Sequence, residues 1–496
     1  MRIEYISHAC LSIRTADKLL ATDPWLRDAC YARQWNLFPR PVNTSPVEEA
    51  DIILISHAHA DHLHEPTLSS LSAGKTVYFP YYWYAGSPEW LSHMGFTRTV
   101  ESASGQTCQL GKNTKVTYLV CGQDAIMVIE EGDAVLVNVN DALHSASDAT
   151  IELYCSRIRK LWPKIDYVFC GFGGASYYPN VFHCPEKDDR SIGRLREEYF
   201  VAAFCKIVAA LDPRIAVPFA ADFVLLNQKQ RWMNEIRFPR EKIPDYFDTH
   251  YRTADMRTRV ITMYPGDVLE RGELEANSPY REKMRDGNLD HLIDEQYPEE
   301  ISVFSSGKHI AGSKADKVVG LLTPHINRQA ALRSRENVEE LHFAVQLIDV
   351  EAPNWYEVQV LDGAASVSRV QEPDTGVPIR IRTSHDALVS SVTSDWGGDD
   401  IIIGYGCEVQ AASSTEMTRA RLASELLVRH PDPRVYARKH PFRMLRYVLQ
   451  TWFSSRARIA AKLQRKQTDD DMVKTNVWLT ETPDALRSRL GLTGEL

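Results

Sequence analysis

Short apolar runs separated by polar turns dominate the first part of the chain, and long helical patterns are scarce there. The runs are rich in β-branched and aromatic residues, which favours strands over helices. Helical periodicity first appears at 197–211, where Pro213 is expected to stop the helix before a strand in "RIAVPFA". The predicted earlier strands are "MRIEYI", "KLLATDP", "ADIILIS", "KTVYFP", "KVTYLV", "DAIMVIEE", "AVLVNVN" and "YVFCGF". This pattern predicts a β-sandwich with flanking helices.

The second half of the chain has a different pattern. From about residue 240 to 330 it is charged and irregular, which indicates an extension or linker with some helix. Strands are then predicted at "EELHFAVQLIDV", "WYEVQVLDG" and "DDIIIGYGCEVQ", and helices near "SHDALVSSVTS" and from about 414 to 468. Because 496 residues exceed one ordinary core, we expect a first domain at 1–300, with a helical extension from about 240, and a smaller C-terminal α+β domain of uncertain role at 301–496.

Composition, charge and cysteine spacing argue against several classes of protein. The net charge of −9 argues against a general nucleic-acid binder, which needs a basic surface to neutralise phosphates. The start of the chain lacks a leader pattern, and no stretch offers about 18 uninterrupted apolar residues. We therefore expect a cytoplasmic protein with no membrane association. The nine cysteines form no C-x-x-C pair, which favours reduced thiols over disulfides or a zinc ribbon.

Four potential metal ligands crowd the stretch "LISHAHADHLHEP" (54–66), directly after a predicted buried strand: His57, His59, Asp61 and His62. Two histidines two residues apart on an extended segment point the same way, and the Asp-His pair that follows can turn back towards a second ion. The loop therefore predicts two adjacent metal sites. The alternative is a solvated, histidine-rich turn.

This H-x-H-x-D-H pattern resembles the metallo-β-lactamase superfamily, which implies an αββα sandwich with metals at the sheet edges. Asp23 in "LLATDPWL" matches the first acidic motif of that superfamily, and Asp141 in "VLVNVND" matches its metal-bridging aspartate. The resemblance implies an α/β fold and catalytic, metal-binding roles for Asp61 and Asp141. A simple turn-forming role is the alternative for Asp141.

Hydrolases of the superfamily carry two further histidine ligands, and neither is obvious here. Near the first position stand Cys121, Gln123 and Asp124. At the second position the sequence has Phe219. His144 and His183 are the remaining candidate ligands, although each could equally be a surface or supporting histidine. His8 could orient a ligand.

With these departures from the hydrolase pattern, the sequence resembles one family within the superfamily, the CMP-N-acetylneuraminate hydroxylases. The similarity covers roughly residues 3 to 230 and is carried by "SHACLSI", "TDPWLRDACYARQWNLFPRP", "ISHAHADHLHEPTL", "GGASYYPNVF" and "LDPRIAVPFAADF". That family carries a Rieske iron–sulfur domain, which needs C-x-H and C-x-x-H ligand pairs. No such pair occurs in this chain. An oxygenase of this kind would take its electrons from a separate protein, such as a ferredoxin or a Rieske-type protein, or from a reducing cosubstrate.

Three functions follow as hypotheses. The favoured one is an oxygenase that hydroxylates a small polar metabolite, nucleotide- or sugar-linked compounds included, at a dinuclear iron site. A site that combines a few histidines with carboxylates, as the recognisable ligands here do, suits ferrous iron. The second is a zinc-dependent hydrolase of a phosphodiester, lactone or amide, since zinc also tolerates carboxylates. The third is a non-catalytic binding module.

Two aromatic loops supply candidate substrate contacts. Arg33 and Trp35 in "ACYARQWNLFPRP" could pair a phosphate and stack a base, and Ser176 and Tyr177 lie in the glycine-rich "GFGGASYYPN". Ordinary core packing is the alternative for both loops. A basic stretch at 434–466 contains "MLRYVLQTWF". It predicts an amphipathic helix that packs on its own domain or docks an acidic electron-transfer protein.

Overall fold

The computed structural model describes residues 1–71, 74–82, 84, 86–144, 146–174, 177–285, 288–301, 312–332, 340–429, 432–463 and 477–492. Two large sheets occupy the first half of the chain. The first sheet has eight strands: β1 (Arg2–Ser7), β2 (Cys10–Arg14), β3 (Leu19–Thr22), β5 (Ile52–Leu54), β6 (Thr76–Pro80), β7 (Arg98–Ser102), β17 (Val268–Glu270) and β18 (Glu273–Glu275). Their order across the sheet is β18-β17-β1-β2-β3-β5-β6-β7.

The second sheet has seven strands: β8 (Thr107–Gln109), β9 (Thr114–Cys121), β10 (Asp124–Glu131), β11 (Ala134–Asn140), β12 (Tyr167–Gly171), β14 (Ile215–Phe219) and β16 (Arg259–Val260). Their order is β16-β14-β12-β11-β10-β9-β8. The neighbours β11, β12 and β14 run parallel, as do β3, β5 and β6 in the first sheet. Parallel strands bring their carboxyl ends to one edge, which is where ligands bind in α/β sheets.

Helices cover the outer faces of both sheets, so the first half has four layers. Apolar side chains of the two sheets meet in one core that includes Tyr5, Leu54, Tyr118 and Phe169. The first sheet is covered by α1 (Ser45–Glu48), α2 (Glu65–Ser70) and α3 (Gly86–His93). The second is covered by α4 (Asp148–Leu161), α5 (Asp189–Leu211) and α7 (Ile243–His250). The predicted αββα sandwich is confirmed.

The region from residue 240 onwards is not simply the predicted linker. Within it, β16 pairs with β14, and β17 pairs with β1, so this part of the chain extends both sheets. These strands are two or three residues long, which is too short to show a period-two pattern. The remaining elements near here are β4 (Trp35–Leu37), β15 (Phe223–Leu225), α6 (Trp232–Glu235), a 3₁₀ turn at Arg240–Lys242, α8 (Tyr280–Arg285) and α9 (Leu289–Gln296).

A third, six-stranded sheet forms the core of the C-terminal part. Its strands are β13 (Phe182–His183), β19 (Glu340–Leu347), β20 (Trp355–Leu361), β21 (Ala364–Val370), β22 (Ile379–Thr383) and β23 (Cys407–Ala411), in the order β13-β23-β22-β19-β20-β21. Because β13 comes from the first half of the chain and pairs with β23, the two halves share a sheet. The predicted boundary near residue 300 stays a prediction.

Helices complete the C-terminal part, and one of them lies where the sequence predicted a strand. They are α10 (Gly312–Leu332), α11 (His385–Thr393), α12 (Asp399–Ile402), a 3₁₀ turn at Ser414–Glu416, α13 (Met417–Leu426), α14 (Pro433–Lys439), α15 (Pro441–Leu463), α16 (Val477–Thr480) and α17 (Pro483–Leu490). The stretch "DDIIIGYGCEVQ" was expected to be one strand, but its first four residues form α12 and only the end is β23. The two glycines between these elements break the apolar run.

Two further observations bear on the sequence predictions. Among the described helices, none combines the length and apolar character needed to cross a bilayer. All nine cysteines are free thiols, eight of them buried and Cys108 partly so, as the lack of paired spacing indicated.

The loop around Trp35 is part of the hydrophobic core. The indole is 1% exposed and stacks on Phe223, with ring centroids 3.5 Å apart and an interplanar angle of 6°. The contact joins β4 to β15, and it therefore holds the segment after Asp222 against the loop at 29–41. The predicted substrate contact by Trp35 is replaced by a packing role, since the ring is not accessible.

Replacing Trp35 by alanine should consequently cost about 3–5 kcal/mol of unfolding free energy, the usual range for removing a buried aromatic ring. Urea unfolding followed by circular dichroism measures this. Arg33→Ala is the matched control, because Arg33 lies exposed in the same loop and should change stability by less than about 0.5 kcal/mol. Equal stability of the two variants would contradict the packing role.

Candidate metal centre

The metal-binding loop begins where β5 ends, and Asp23 fixes its geometry. Asp23 adopts a left-handed backbone conformation with φ of 35° at the end of β3, next to β5. Its carboxylate accepts hydrogen bonds from the Ser56 backbone N–H at 2.7 Å and the Ser56 hydroxyl at 2.8 Å. The Nδ1 of His62 lies 3.1 Å from the same carboxylate. With Nδ1–H donating to Asp23, the Nε2 atom of His62 faces the centre as a potential ligand.

Ligand atoms converge in three overlapping groups within the described part of the chain. In each group the atoms lie within 4.8 Å of one another, which suits a shared cation. The groups are His57, His59 and Asp124; His57, His62 and Asp141; and His8, Asp61 and His62. All four loop residues and Asp141, which were predicted from the sequence, are therefore brought together.

The first group combines two imidazoles and one carboxylate. The Nε2 of His57 lies 2.8 Å from Nδ1 of His59 and 3.7 Å from Oδ1 of Asp124. Asp124 Oδ1 is buried and has no hydrogen-bond partner, so a cation here would satisfy it. Burial, reinforced by the neighbouring Asp141 carboxylate, raises the pKa of Asp124 to about 7. A cation beside it would favour the ionised form that binds metals.

A second cation position lies around His62. Its Nε2 is 3.3 Å from Oδ2 of Asp61 and 3.6 Å from Oδ2 of Asp141. This buried nitrogen also makes no hydrogen bond of good geometry. Burial alone would lower the pKa of His62, but the surrounding carboxylates raise it well above its usual range. The residues present therefore fit two cations, with Asp141 close to both through the group that contains His57 and His62.

Hydrogen bonds from His8 and Tyr31 orient the carboxylate of Asp61. The backbone N–H of Asp222 donates to Nδ1 of His8 at 3.1 Å, which leaves the proton on Nε2 to donate to Asp61 at 3.0 Å. The Tyr31 hydroxyl donates to the other oxygen of Asp61. His8 thus fits the orienting role expected for it. From the sequence, Tyr31 was considered only as an aromatic residue of the loop at 29–41 that could help to stack a base, and its contact with Asp61 was not predicted.

The two further candidate histidines lie outside these groups. His144 bonds through Nδ1 to the Asp141 backbone oxygen and stacks against Phe200 at 5.2 Å, so it lies beside the centre and its ligand role stays a prediction. The structure does not bring His183 to the centre. Its strand β13 belongs to the C-terminal sheet, and its Nδ1 lies 2.6 Å from Asp189.

The residues predicted to contact substrate are not brought together as the candidate ligands are. Tyr177 is buried in the core, where its hydroxyl lies 3.2 Å from Ser424 Oγ, so it too has a packing role. Arg33 is exposed, and Ser176 lies outside the described residues. Phe219, at the position where hydrolases of the superfamily carry histidine, lies in the core between the sheets with its ring centroid 5.5 Å from that of Phe169.

The C-terminal part covers the metal-binding loop. A space of about 20 Å³ at the centre is lined by His57, Ala58, His59, Tyr82, Tyr84, Gln123 and Trp396. A second cavity of about 270 Å³ lies outside it, and Ala58 and Trp396 line both. Trp396 therefore forms part of the wall between the centre and the outer cavity.

The metal content of single-residue variants should distinguish the two candidate cation positions. His59→Ala and Asp124→Asn should each lower the metal bound from about two ions per chain to about one, because they remove ligands of the same group. Asp61→Ala should remove the other ion and leave the first. His183→Ala is the control, and it should retain both ions. Elemental analysis of the purified variants provides the measurement, and loss of an ion only in His183→Ala would contradict the assignment.

The chain is similar to known proteins over part of its length. The profile of the beta-lactamase superfamily domain matches residues 2–156. Cytidine monophosphate-N-acetylneuraminic acid hydroxylase of Danio rerio is 25% identical over 288 residues, which are 54% of this chain and 46% of the relative. The Mus musculus protein of the same name is 28% identical over 303 residues, 55% of this chain and 48% of the relative. A Homo sapiens relative described as inactive is 30% identical over 263 residues, 47% of this chain and 48% of the relative.

Similar solved structures include CmlA, a diiron beta-hydroxylase from Streptomyces venezuelae, with 19% identity, a TM-score of 0.37 and 54% of each chain covered. An isothiocyanate hydrolase from Delia radicum gut bacteria has 13% identity and a TM-score of 0.38, covering 54% of this chain and 98% of the hydrolase. At these scores neither structure carries an argument about chemistry. The chain spans about half the length of the hydroxylases it matches. Residues 2–156 are therefore similar to the beta-lactamase superfamily domain, and the chain resembles the cytidine monophosphate-N-acetylneuraminic acid hydroxylases over about half its length.

Proposed function

We propose that the protein is a metal-dependent oxygenase that hydroxylates a small polar metabolite at a dinuclear iron centre. The observation that carries this proposal is the group formed by His57, His59 and Asp124. Two histidines and one carboxylate with open positions are the ligand set of non-haem ferrous oxygenases. The hydroxylase names of the matched relatives support the same reaction class.

The chain's own residues would hold and shield the ions. Asp141, which lies with His57 and His62, would serve as a ligand to both ions, and Asp61, which accepts hydrogen bonds from His8 and Tyr31, would serve the second. A pair of iron ions, when bound, would supply the one-electron redox chemistry that O₂ requires. The aromatic rings of Tyr82, Tyr84 and Trp396 limit the water that can reach the ligands.

The reaction needs electrons from outside the chain. Hydroxylation converts a C–H bond and O₂ into C–OH and water, and it consumes two electrons and two protons. None of the nine cysteines has the histidine spacing of a Rieske centre. We therefore include an external one-electron donor, of the ferredoxin or Rieske type, in the proposal.

The outer cavity favours one kind of substrate. Its described lining includes the carboxylates of Glu65, Asp399 and Asp400 and contains no lysine or arginine. Phosphate groups would be repelled there, whereas an amine or a neutral polar group would be tolerated. Within the proposal, a polar metabolite without phosphate fits this cavity better than a nucleotide-linked sugar does.

The second candidate, a zinc-dependent hydrolase, rests on the same two-ion geometry. Two adjacent metal ions that share a carboxylate also suit attack by an activated water, and a two-histidine, one-carboxylate set also binds catalytic zinc. The two reactions differ in where the incoming oxygen atom originates, so isotope labelling separates them.

Protein loaded with ferrous iron and supplied with a chemical reductant should transfer one atom of ¹⁸O₂ into a metabolite of a cell extract. Mass spectrometry would detect a compound that gains one labelled oxygen only when the protein is present. Asp124→Asn should abolish this labelling, because it removes the carboxylate of the iron-type group, whereas His183→Ala should retain it.

Turnover without O₂, with label arriving only from H₂¹⁸O, would overturn the oxygenase proposal and favour the hydrolase. Absence of any protein-dependent product together with no stoichiometric metal would favour a binding module.

A further inference from the structure

An apolar stripe on helix α15 is exposed. Phe442 is 86% exposed, Leu445 56%, Leu449 66% and Trp452 55%. The spacings of three, four and three residues place these side chains on one face of the helix. Monomeric proteins seldom expose a contiguous row of large apolar side chains, and such a row marks an interaction surface.

Positive charge surrounds the stripe. The segment 433–467 holds ten lysine and arginine residues and no aspartate or glutamate, in a chain whose net charge is −9. Arg434, Arg438, Lys439 and Arg446 are exposed, and none of them forms an ion pair with the described part of the chain. We define the docking face as these four basic residues together with Phe442, Leu445, Leu449 and Trp452.

The opposite side of α15 is attached to the rim of the metal centre. Arg443 pairs with Glu101, and the Tyr447 hydroxyl donates to the Gly122 carbonyl at 2.8 Å. The Gln450 side chain donates to the Tyr81 carbonyl at 2.5 Å. These contacts fix the helix, so the exposed stripe is held in place rather than free to fold inwards.

The attachment points adjoin residues that line the space at the ligands. Gly122 precedes Gln123, and Tyr81 precedes Tyr82, and both following residues line the space that contains His57 and His59. The Tyr82 hydroxyl also donates to the Ser56 carbonyl at 2.8 Å, directly before His57. The docking face therefore lies on the metal side of the molecule, separated from the ligands by the helix and these rim residues.

We propose that the docking face binds an acidic one-electron carrier protein, a small iron–sulfur protein with a carboxylate-rich surface. This inference rests on the proposed oxygenase function, which needs an external donor. A basic rim attracts an acidic partner and speeds its association, and an apolar centre supplies contact area. Two reduced carriers would bind in succession, each oxidised by one electron, to supply the two electrons that one hydroxylation consumes.

Two other occupants share part of this chemistry. An anionic membrane surface also attracts a basic amphipathic helix with exposed aromatic residues. A second copy of this chain could cover the apolar stripe, but it would bring a second basic segment against the first. The attachment of α15 beside residues that line the space at His57 and His59 favours the electron carrier, because a carrier must dock on the metal side of the molecule to deliver electrons.

Two kinds of variant test the docking face. Arg438→Glu with Lys439→Glu reverses charge, and Leu449→Ser removes apolar surface; neither change touches the attachment residues. Lys164→Glu with Lys229→Glu, at two exposed lysines outside the docking face, is the charge-matched control. The probe is an acidic [2Fe–2S] ferredoxin, whose affinity is measured by calorimetry and whose KM is measured from O₂ consumption.

We expect both variants to weaken ferredoxin affinity and raise its KM about tenfold or more, with wild-type binding that weakens as salt is added. Turnover driven by a chemical reductant should remain at the wild-type rate in all variants. Because calorimetry requires no turnover, ferredoxin binding without any oxygenation would contradict the proposed function and not the docking face.

Unchanged ferredoxin affinity in both variants, or no wild-type binding, would overturn the inference. Loss of binding to phosphatidylglycerol vesicles with unchanged ferredoxin KM would assign the face to membranes instead. A wild-type dimer in sedimentation velocity that Leu449→Ser abolishes, again with unchanged KM, would assign it to a second copy.

Discussion

The buried negative charge at the ends of β3, β5 and β11 and at the start of β10 determines which groups must surround the centre. Four carboxylates, those of Asp23, Asp61, Asp124 and Asp141, lie together in a largely buried region. Removing such groups from water is costly unless they are hydrogen-bonded or paired with positive charge. Ser56 and His62 stabilise Asp23, and His8 and Tyr31 stabilise Asp61. Two bound cations would balance the charge that remains.

This arrangement follows from how the two sheets meet. The loop after β5 and the turn after β11 come from different sheets, and the shared core between the sheets holds them in register. Asp124 arrives from the start of β10, next to β11 in the second sheet. The C-terminal part then closes the centre with Trp396 and supports its rim through α15. The two halves thus meet at the centre as well as in the C-terminal sheet, to which the first half contributes β13.

Much of the centre could be predicted from local sequence. The four candidate ligands of the loop, Asp23 and Asp141 each follow an apolar strand, and short motifs of that kind can be recognised without knowledge of the whole fold. Asp124 could not be selected over Cys121 and Gln123, because all three lie at one hairpin. The turn geometry there, with Cys121 opposite Asp124, decides which side chain faces the histidines.

Other residues depended on long-range packing that local patterns do not contain. Trp35 and Tyr177 lie in polar, glycine- or arginine-containing loops, yet both are buried because the C-terminal part and β15 cover them. His183 could not be placed without knowing that β13 pairs with β23, a strand more than two hundred residues later in the chain. For the same reason, the short strands after residue 240 could be recognised only from their pairing with β1 and β14.

The proposed oxygenase requires one buried centre that holds two iron ions in different ligand environments. Mössbauer spectroscopy of protein reconstituted anaerobically with ⁵⁷Fe(II) distinguishes such ions, because each distinct iron site gives its own quadrupole doublet. We expect two ferrous doublets of equal area, one for the group of His57, His59 and Asp124 and one for the position around His62 and Asp61. A single doublet from one bound iron, or no specifically bound iron at all, would contradict it.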